Sequence, residues 1–285
     1  MRLNAGVSGA SEVKLVDYSG LRKRTTMNRG DVIELLPQGD FAGSLIQADR
    51  PIQVMSIHPC LFMPAAMSAC DHIEEAMIPM EAVGSEYVIG LPAAPGTTAP
   101  VEHVVRFFGI DGRADLTFDP PLSGDSKCST VLFEGDMTEC SLSDDVHVRS
   151  TSRVGVAAFL EASSVVDPQG SLGDPAQYGL AAVEQYRTKC VFLAPSDYDF
   201  NYAVIAGPHE AVIDLDGARV TLTNAVGAGG MAVERVLLTK TPDEVHLLTS
   251  DVPVGVTVLG YGHSTSYAYA AGLDLRKLAA APPIE

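Results

Sequence analysis

Two short segments, 58–60 and 70–75, contain the densest cluster of side chains that could do chemistry. Together they hold two histidines, two cysteines and three carboxylates, a set that could bind a metal ion. Their mixed spacing matches no closed zinc pattern. A metal-dependent hydrolase is therefore one hypothesis, and its ligands would be His58, His72 and either Glu74 or Glu75. The favoured interpretation is a disulfide-tied loop followed by the polar start of a helix.

The chain has five cysteines. Cys60 and Cys70 are close in sequence, as are Cys128 and Cys140, and Cys190 stands apart. No C-x-x-C spacing occurs, which argues against a zinc ribbon or a thioredoxin motif. We expect two local disulfides, Cys60–Cys70 and Cys128–Cys140, with Cys190 left over; separate buried thiols are the alternative. A catalytic Cys–His pair would need a free thiolate and an orienting group, and the sequence supplies no such group.

A tyrosine-rich segment near the end of the chain is the best candidate for ligand binding. Tyr261, His263, Tyr267 and Tyr269 lie among small residues there. Exposed tyrosines with small neighbours suit protein recognition. Alternating burial in a terminal strand explains the same pattern. The glycine-rich segment 226–232 lacks the strand-to-helix context of a phosphate loop, so we interpret it as a hairpin loop.

The overall charge excludes one class of partner. The formal net charge is −17, whereas binding to nucleic-acid phosphates needs clustered Lys and Arg. No apolar run approaches the ~20 residues of a membrane-spanning helix, and the first residues lack a signal-peptide core. Either the protein is cytosolic or the sequence is an incomplete piece of a longer chain, and the repeats described below favour the second interpretation. We expect no cofactor, no nucleic-acid partner and no membrane insertion.

The sequence repeats at intervals of about 100 residues. Segments 46–55, 148–157 and 248–257 each contain a polar turn followed by an alternating apolar strand; Pro51, Arg153 and Pro253 mark the frame, 102 and then 100 residues apart. Segments 13–17, 116–119 and 212–216 recur in the same frame as short strands that end in Asp. Helix is scarce, and the best helical candidates are 71–77 and 180–186.

These patterns predict an all-β fold of three tandem antiparallel β-sandwich-like repeats, arranged with pseudo-threefold symmetry. The expected domains are 1–75, 76–165 and 176–275, with a tail at 276–285. The first repeat lacks its opening strands. Either the sequence begins inside a domain, or the segment 265–269 pairs back and completes the first repeat, since an unpaired sheet edge promotes aggregation.

The order and spacing of ten short stretches resemble the N-terminal domain family of IgG Fc-binding proteins over almost the whole chain. The matching stretches are 30–32, 48–54, 58–60, 70–75, 84–88, 173–175, 184–187, 192–195, 216–217 and 260–262. The sequence departs from the family pattern at Ile57, where Gly is usual, and at Ala76-Met77.

The resemblance implies a secreted or cell-surface protein without catalytic activity. Animal members are associated with mucus and bind the Fc part of IgG, and many bacterial members are exported. The low lysine content suggests a bacterial member. The first hypothesis is therefore an extracellular binding or adhesion module for a protein or glycoprotein. The alternatives are the metal-dependent hydrolase and a structural surface-layer component.

Overall fold

The computed structural model describes residues 1–5, 10–16, 22–36, 40–67, 70–123, 126–240 and 244–280. Strands dominate these residues and all of their pairings are antiparallel, which confirms the all-β prediction. The helices that the described residues contain are short: α1 (Ser163–Val166) and two 3₁₀ turns at Met80–Ala82 and Val183–Gln185. No helix in this part of the chain is long and apolar enough to cross a membrane.

The strands fall into three groups in chain order. The first group forms one sheet in the order β4-β1-β6-β7 and a second sheet in the order β3-β2-β5. Its strands are β1 (Arg2–Ala5), β2 (Ser11–Val16), β3 (Arg22–Met27), β4 (Val32–Glu34), β5 (Leu45–Ala48), β6 (Ile52–Leu61) and β7 (Asp71–Ala76).

The second group also forms two sheets, in the orders β12-β9-β14-β15 and β11-β10-β13-β8. Its strands are β8 (Glu86–Ile89), β9 (His103–Gly109), β10 (Ala114–Asp119), β11 (Val131–Leu132), β12 (Met137–Leu142), β13 (Val146–Ser150), β14 (Val154–Leu160) and β15 (Ala176–Gly179).

In the third group one long strand joins both sheets. β22 pairs with β18 and β16 through its first half and with β17 and β23 through its second half. The strands are β16 (Arg187–Leu193), β17 (Phe200–Pro208), β18 (Ile213–Leu215), β19 (Ala218–Val220), β20 (Asn224–Val226), β21 (Met231–Leu237), β22 (Val245–Gly262) and β23 (Thr265–Ala270).

The same residue pairings recur in the three groups. In the larger sheets the matching pairs are Leu3↔Val54, Phe107↔Val156 and Ile205↔Val256. In the smaller sheets they are Leu15↔Ile46, Phe118↔Val148 and Leu215↔Leu248. These registers define counterpart positions in the three groups. The domain boundaries and the pseudo-threefold arrangement stay predictions.

Alternating apolar residues of the two sheets form the core of each group. The first group has a small cluster built on Leu3, Val13 and Met27, whereas the second and third groups share much larger clusters. The first group therefore buries less apolar surface than the others, although its strands pair in the same way.

Three details of the sequence interpretation are wrong. Segment 71–77 is largely the strand β7 rather than a helix, because Ile73 is buried and the strand pairs with β6 across a hairpin. Segment 180–186 contains only the 3₁₀ turn at Val183–Gln185. The strand β23, which includes 265–269, pairs with β22, so it does not complete the first group.

The two expected disulfides are confirmed. Cys60–Cys70 closes the hairpin of β6 and β7, with the Cα atoms 5.0 Å apart, and Cys128–Cys140 ties a loop to β12, with the Cα atoms 4.8 Å apart. Cys190 is a free, buried thiol on β16. Local bridges of this kind reduce the conformational freedom of the unfolded chain.

Alkylation of the unfolded but unreduced protein should therefore label one cysteine, Cys190, because the other four are in disulfides. Peptide mass spectrometry measures this directly, and a sample reduced before alkylation is the control. Labelling of Cys60 or Cys140 without reductant would contradict the pairing.

Candidate functional site

The hairpin of β6 and β7 does not form the metal site of the hydrolase hypothesis. Strand alternation places His72 and Glu74 on one face, with 3.5 Å between imidazole Nε2 and carboxylate Oε2, and turns Glu75 to the other face. His58 is exposed and accepts the backbone N–H of Cys60 at Nδ1. Among the residues that the structure describes, no three His, Cys, Asp or Glu side chains could hold a metal ion. The sulfurs of Cys60 and Cys70 are bonded to each other, which also removes the thiolate of a Cys–His pair.

The four predicted ligand-binding residues of the tyrosine-rich segment have different surroundings. Tyr261 is fully buried in the core, so its interpretation as an exposed recognition residue is wrong. Its ring packs beside that of Tyr202, with 6.2 Å between the centroids, in the core cluster that the second and third groups share. His263 is exposed in the turn after β22, and Tyr267 and Tyr269 are half-buried on β23.

Tyr269 reaches an edge strand of the third group. Its hydroxyl donates to the backbone oxygen of Leu193 at 2.5 Å and accepts the backbone N–H of the same residue at 3.0 Å. The ring of Tyr267 stacks on that of Tyr269, with 6.1 Å between the centroids, and its hydroxyl donates to Asn201 Oδ1. Two of the predicted tyrosines are thus fixed beside β16.

An apolar patch lies on β16 and β22, next to Tyr269. Val191 pairs with Leu247 and Leu193 pairs with Val245, so the four side chains share one face of the sheet. Val191 is 61 % exposed and Leu193 is 53 % exposed. We call these four residues the β16–β22 patch. Adjacent exposed aliphatic side chains of this kind mark interaction surfaces in soluble proteins.

The counterpart face in the second group is covered by protein. Val88 pairs with His147 there, and both side chains are buried. A Cβ atom placed on the neighbouring Gly90 would lie 2.7 Å from Val204 Cγ1 of β17 and 2.8 Å from Val233 Cγ1 of β21. The third group therefore packs on this face of the second group.

A buried ion pair accompanies this packing. The guanidinium of Arg235 on β21 donates to the backbone oxygen of Leu91 and pairs with Asp145, at the end of the covered face. Fixed polar contacts at the rim orient two apolar faces relative to each other. The β16–β22 patch thus has the position of a surface that elsewhere in the same molecule receives a protein layer.

Sequence reasoning missed this patch. The alternation of Val191 and Leu193 predicts a strand, but which face of a strand is covered depends on the neighbouring group. The signal that could have found it was the counterpart position of Val88, which lies 103 residues before Val191.

The comparisons with known proteins identify one family. The sequence pattern described as IgGFc binding protein matches residues 1–260 of the chain. The chain belongs to this family. A relative in Homo sapiens, named IgGFc-binding protein, is 22 % identical over 254 residues, which cover 87 % of this chain and 4 % of the relative. This chain thus matches a small part of the curated relative. No solved structure matches the chain.

Neither the hydrolase nor the surface-layer hypothesis gains support from family membership or from the geometry. The bacterial origin stays a prediction.

Two carboxyls near the contact between the first and second groups sit in environments that disfavour charge. Burial raises the pKa of Glu161 to about 7, with a further contribution from the charge of Glu102. Burial also raises the pKa of Glu75 to about 7, although a hydrogen bond from the backbone of Gly179 opposes the effect. Glu161 Oε1 has no hydrogen-bond partner among the described residues.

The folded protein should therefore lose stability as the pH rises from about 5 to about 8, because both carboxyls stay protonated in the folded state at a pH where the unfolded chain has released its protons. The loss occurs between the ordinary value of 4.5 and about 7. Glu161→Gln should reduce this loss in the free energy of unfolding by up to about 3 kcal/mol. Urea unfolding at about pH 5 and about pH 8 measures the loss for each variant. The exposed Glu210→Gln is the control. An equal loss of stability in the parent and Glu161→Gln would contradict the assignment.

Proposed function

We propose that this chain is an extracellular protein-binding module without a catalytic role. The observation that carries the proposal is the family match over residues 1–260. Two disulfides support an oxidising location, either secreted or at the cell surface, because such bridges persist outside the reducing cytosol.

The ligand is proposed to be a protein or glycoprotein. The net charge of −17 disfavours the phosphate backbone of a nucleic acid. The relative in Homo sapiens is named for binding IgG Fc, which makes the Fc fragment the first ligand to test. Adhesion to mucin-type glycoproteins is the second possibility within the same function.

The β16–β22 patch, together with Tyr269, is proposed as the ligand-binding surface. Its four aliphatic side chains supply apolar contact area, and Tyr269 adds an amphipathic ring that is already fixed by hydrogen bonds to Leu193. A preorganised aromatic ring loses little conformational entropy on binding. His263 and Tyr267 are proposed to contribute at the border of this surface.

Charged substitutions test the surface. Leu193→Asp and Leu247→Asp should each weaken binding to immobilised Fc or mucin about tenfold or more, because each places a charge at the centre of a desolvated contact. Leu275→Asp is the matched control, since Leu275 is 54 % exposed and Leu193 is 53 % exposed. Biolayer interferometry measures the affinities, and thermal melting verifies that each variant is folded.

Two outcomes would contradict these proposals. Absence of binding to Fc, mucin and other glycoproteins at concentrations on the order of hundreds of micromolar would contradict the binding function. Equal affinity of Leu193→Asp, Leu247→Asp and Leu275→Asp would place the surface elsewhere.

A further inference from the structure

The smaller sheet of the first group is positively charged, although the protein as a whole is strongly acidic. Its strands β3, β2 and β5 contain four cationic side chains and one carboxylate, whereas the whole chain has a formal net charge of −17. The carboxylate is Glu12, and the cations are Lys14, Arg22, Lys23 and Arg24. The three cations of β3 are exposed, and Lys14 on β2 is half-buried. We call these four cations the basic ribbon.

Strand pairing brings three of these cations to one face of the sheet. Lys14 pairs directly with Arg24, and Arg22 lies two residues before Arg24 on β3. Leu15 is buried on the core side of β2, so alternation along the strand turns Lys14 to the outer side. Lys14, Arg22 and Arg24 therefore share the outer face, with neighbouring Cβ atoms about 5–7 Å apart.

The charge arrangement of this face is unfavourable for the sheet itself. Like charges directly opposite each other on neighbouring strands lower stability, and Lys14 and Arg24 form such a pair. At the counterpart position of the third group, Asp214 faces Arg219, so opposite charges meet. The counterpart of Lys14 in the second group is the uncharged Thr117. Among the three groups, the first one alone has two cations facing each other at this position.

Protection of the sheet edge explains only part of the basic ribbon. Charged side chains on an edge strand discourage pairing with another chain. This reason applies to Lys23, because β3 pairs with β2 alone among the described residues. It does not apply to Lys14, which lies on the central strand between β3 and β5. A cation there adds charge to the outer face without protecting an edge.

The one carboxylate of the sheet leaves the ribbon accessible to an anion. Glu12 lies 3.7 Å from the guanidinium of Arg24, and the two side chains are 52 % and 66 % exposed. An exposed ion pair of this kind contributes little to stability. The anionic group of a partner can therefore take the place of Glu12 beside Arg24 at small cost.

The rest of the protein limits the kind of polyanion that fits. A membrane or a nucleic-acid duplex is wide, so it would also approach the acidic surfaces that give the chain its net charge of −17. A flexible single chain of anionic groups can follow the two strands of the ribbon alone. The two disulfides favour an oxidising location, and sulfated polysaccharides are polyanions of the extracellular space.

We propose that the basic ribbon binds a sulfated polysaccharide, with sulfate oxygens beside Lys14, Arg22 and Arg24. Clustered Lys and Arg side chains are typical of surfaces that bind heparin-like chains. The guanidinium group also donates two parallel hydrogen bonds to an oxyanion, which adds geometric specificity to the charge attraction. The inference goes beyond the proposed protein-binding function, because it uses a different surface and a different class of ligand.

A heparin hexasaccharide with a fluorescent label tests the proposal on the full chain. Fluorescence anisotropy at about 50 mM salt should give a Kd on the order of 10 µM, and about 200 mM salt should weaken binding about tenfold, because bound counterions are released. The same hexasaccharide without its sulfate groups should bind at least about tenfold more weakly at the lower salt concentration. Absence of binding, or equal binding of the two hexasaccharides, would overturn the proposal.

Two substitutions locate the site. Lys14→Gln and Arg24→Gln should each weaken binding about fivefold and reduce its dependence on salt, because each removes one cation from the outer face. Both variants should fold, since each removes the repulsion between Lys14 and Arg24. Arg219→Gln is the matched control, because Arg219 is the exposed counterpart of Arg24. Equal affinity of Arg24→Gln and Arg219→Gln would overturn the proposal.

Other ligands distinguish the class of partner and the two surfaces. Oligothymidylate of the same charge and phosphatidylserine vesicles should bind more weakly than the sulfated hexasaccharide; tighter binding of either would overturn the proposal. Leu193→Asp should leave hexasaccharide binding unchanged, and an equal loss in Leu193→Asp and Arg24→Gln would also overturn it. If Fc and other proteins do not bind but the hexasaccharide does, the proposed protein-binding function is wrong and the basic ribbon stands.

Discussion

In each group one stretch of chain passes from the smaller sheet into the larger one and fixes the register of both sheets. We call this stretch the strand path. In the first group it runs from β5 into β6, in the second from β13 into β14, and in the third it is the single strand β22. Its first half pairs in the smaller sheet and its second half in the larger one. A slip of one residue would turn every buried side chain of the path outward, so the apolar alternation holds both sheets in place.

The three groups differ in which edges of this path are paired with other strands and in which of its faces are packed against protein. In the second group, strands lie on both sides of β13, and the third group covers its outer face through Val204 and Val233. In the third group both sides are paired, but the outer face is exposed at Val191 and Leu193. In the first group, β5 pairs with β2 alone among the residues that the structure describes. Uncovered strand faces and edges are the natural places for a binding module to contact its partners.

Much of this architecture was visible in the sequence. The repeated turn before Ile52, Val154 and Val254 predicted the strand path, because polar turns and strict alternation are local signals. The short separation of the paired cysteines favoured the two disulfides over separate buried thiols.

Other features depend on contacts between distant segments. Segment 71–77 was one of the best helical candidates, yet pairing with β6 makes most of it a strand, since tertiary contacts override weak local propensity. Tyr261 and Tyr269 have the same residue type and similar neighbours in sequence. Tyr261 packs beside Tyr202 in the core, whereas the hydroxyl of Tyr269 bonds to the backbone of β16. The β16–β22 patch became recognisable only when its covered counterpart was known.

Amide hydrogen exchange of the unliganded chain, followed residue by residue by NMR, tests the central claim most directly: that three equivalent strand paths differ in how they are covered. The account predicts slow exchange at Val148, Ser150 and Leu248, whose strand is paired on both sides, and much faster exchange at Ile46 and Ala48. Equal protection of the amides at Ile46 and Val148 would contradict it.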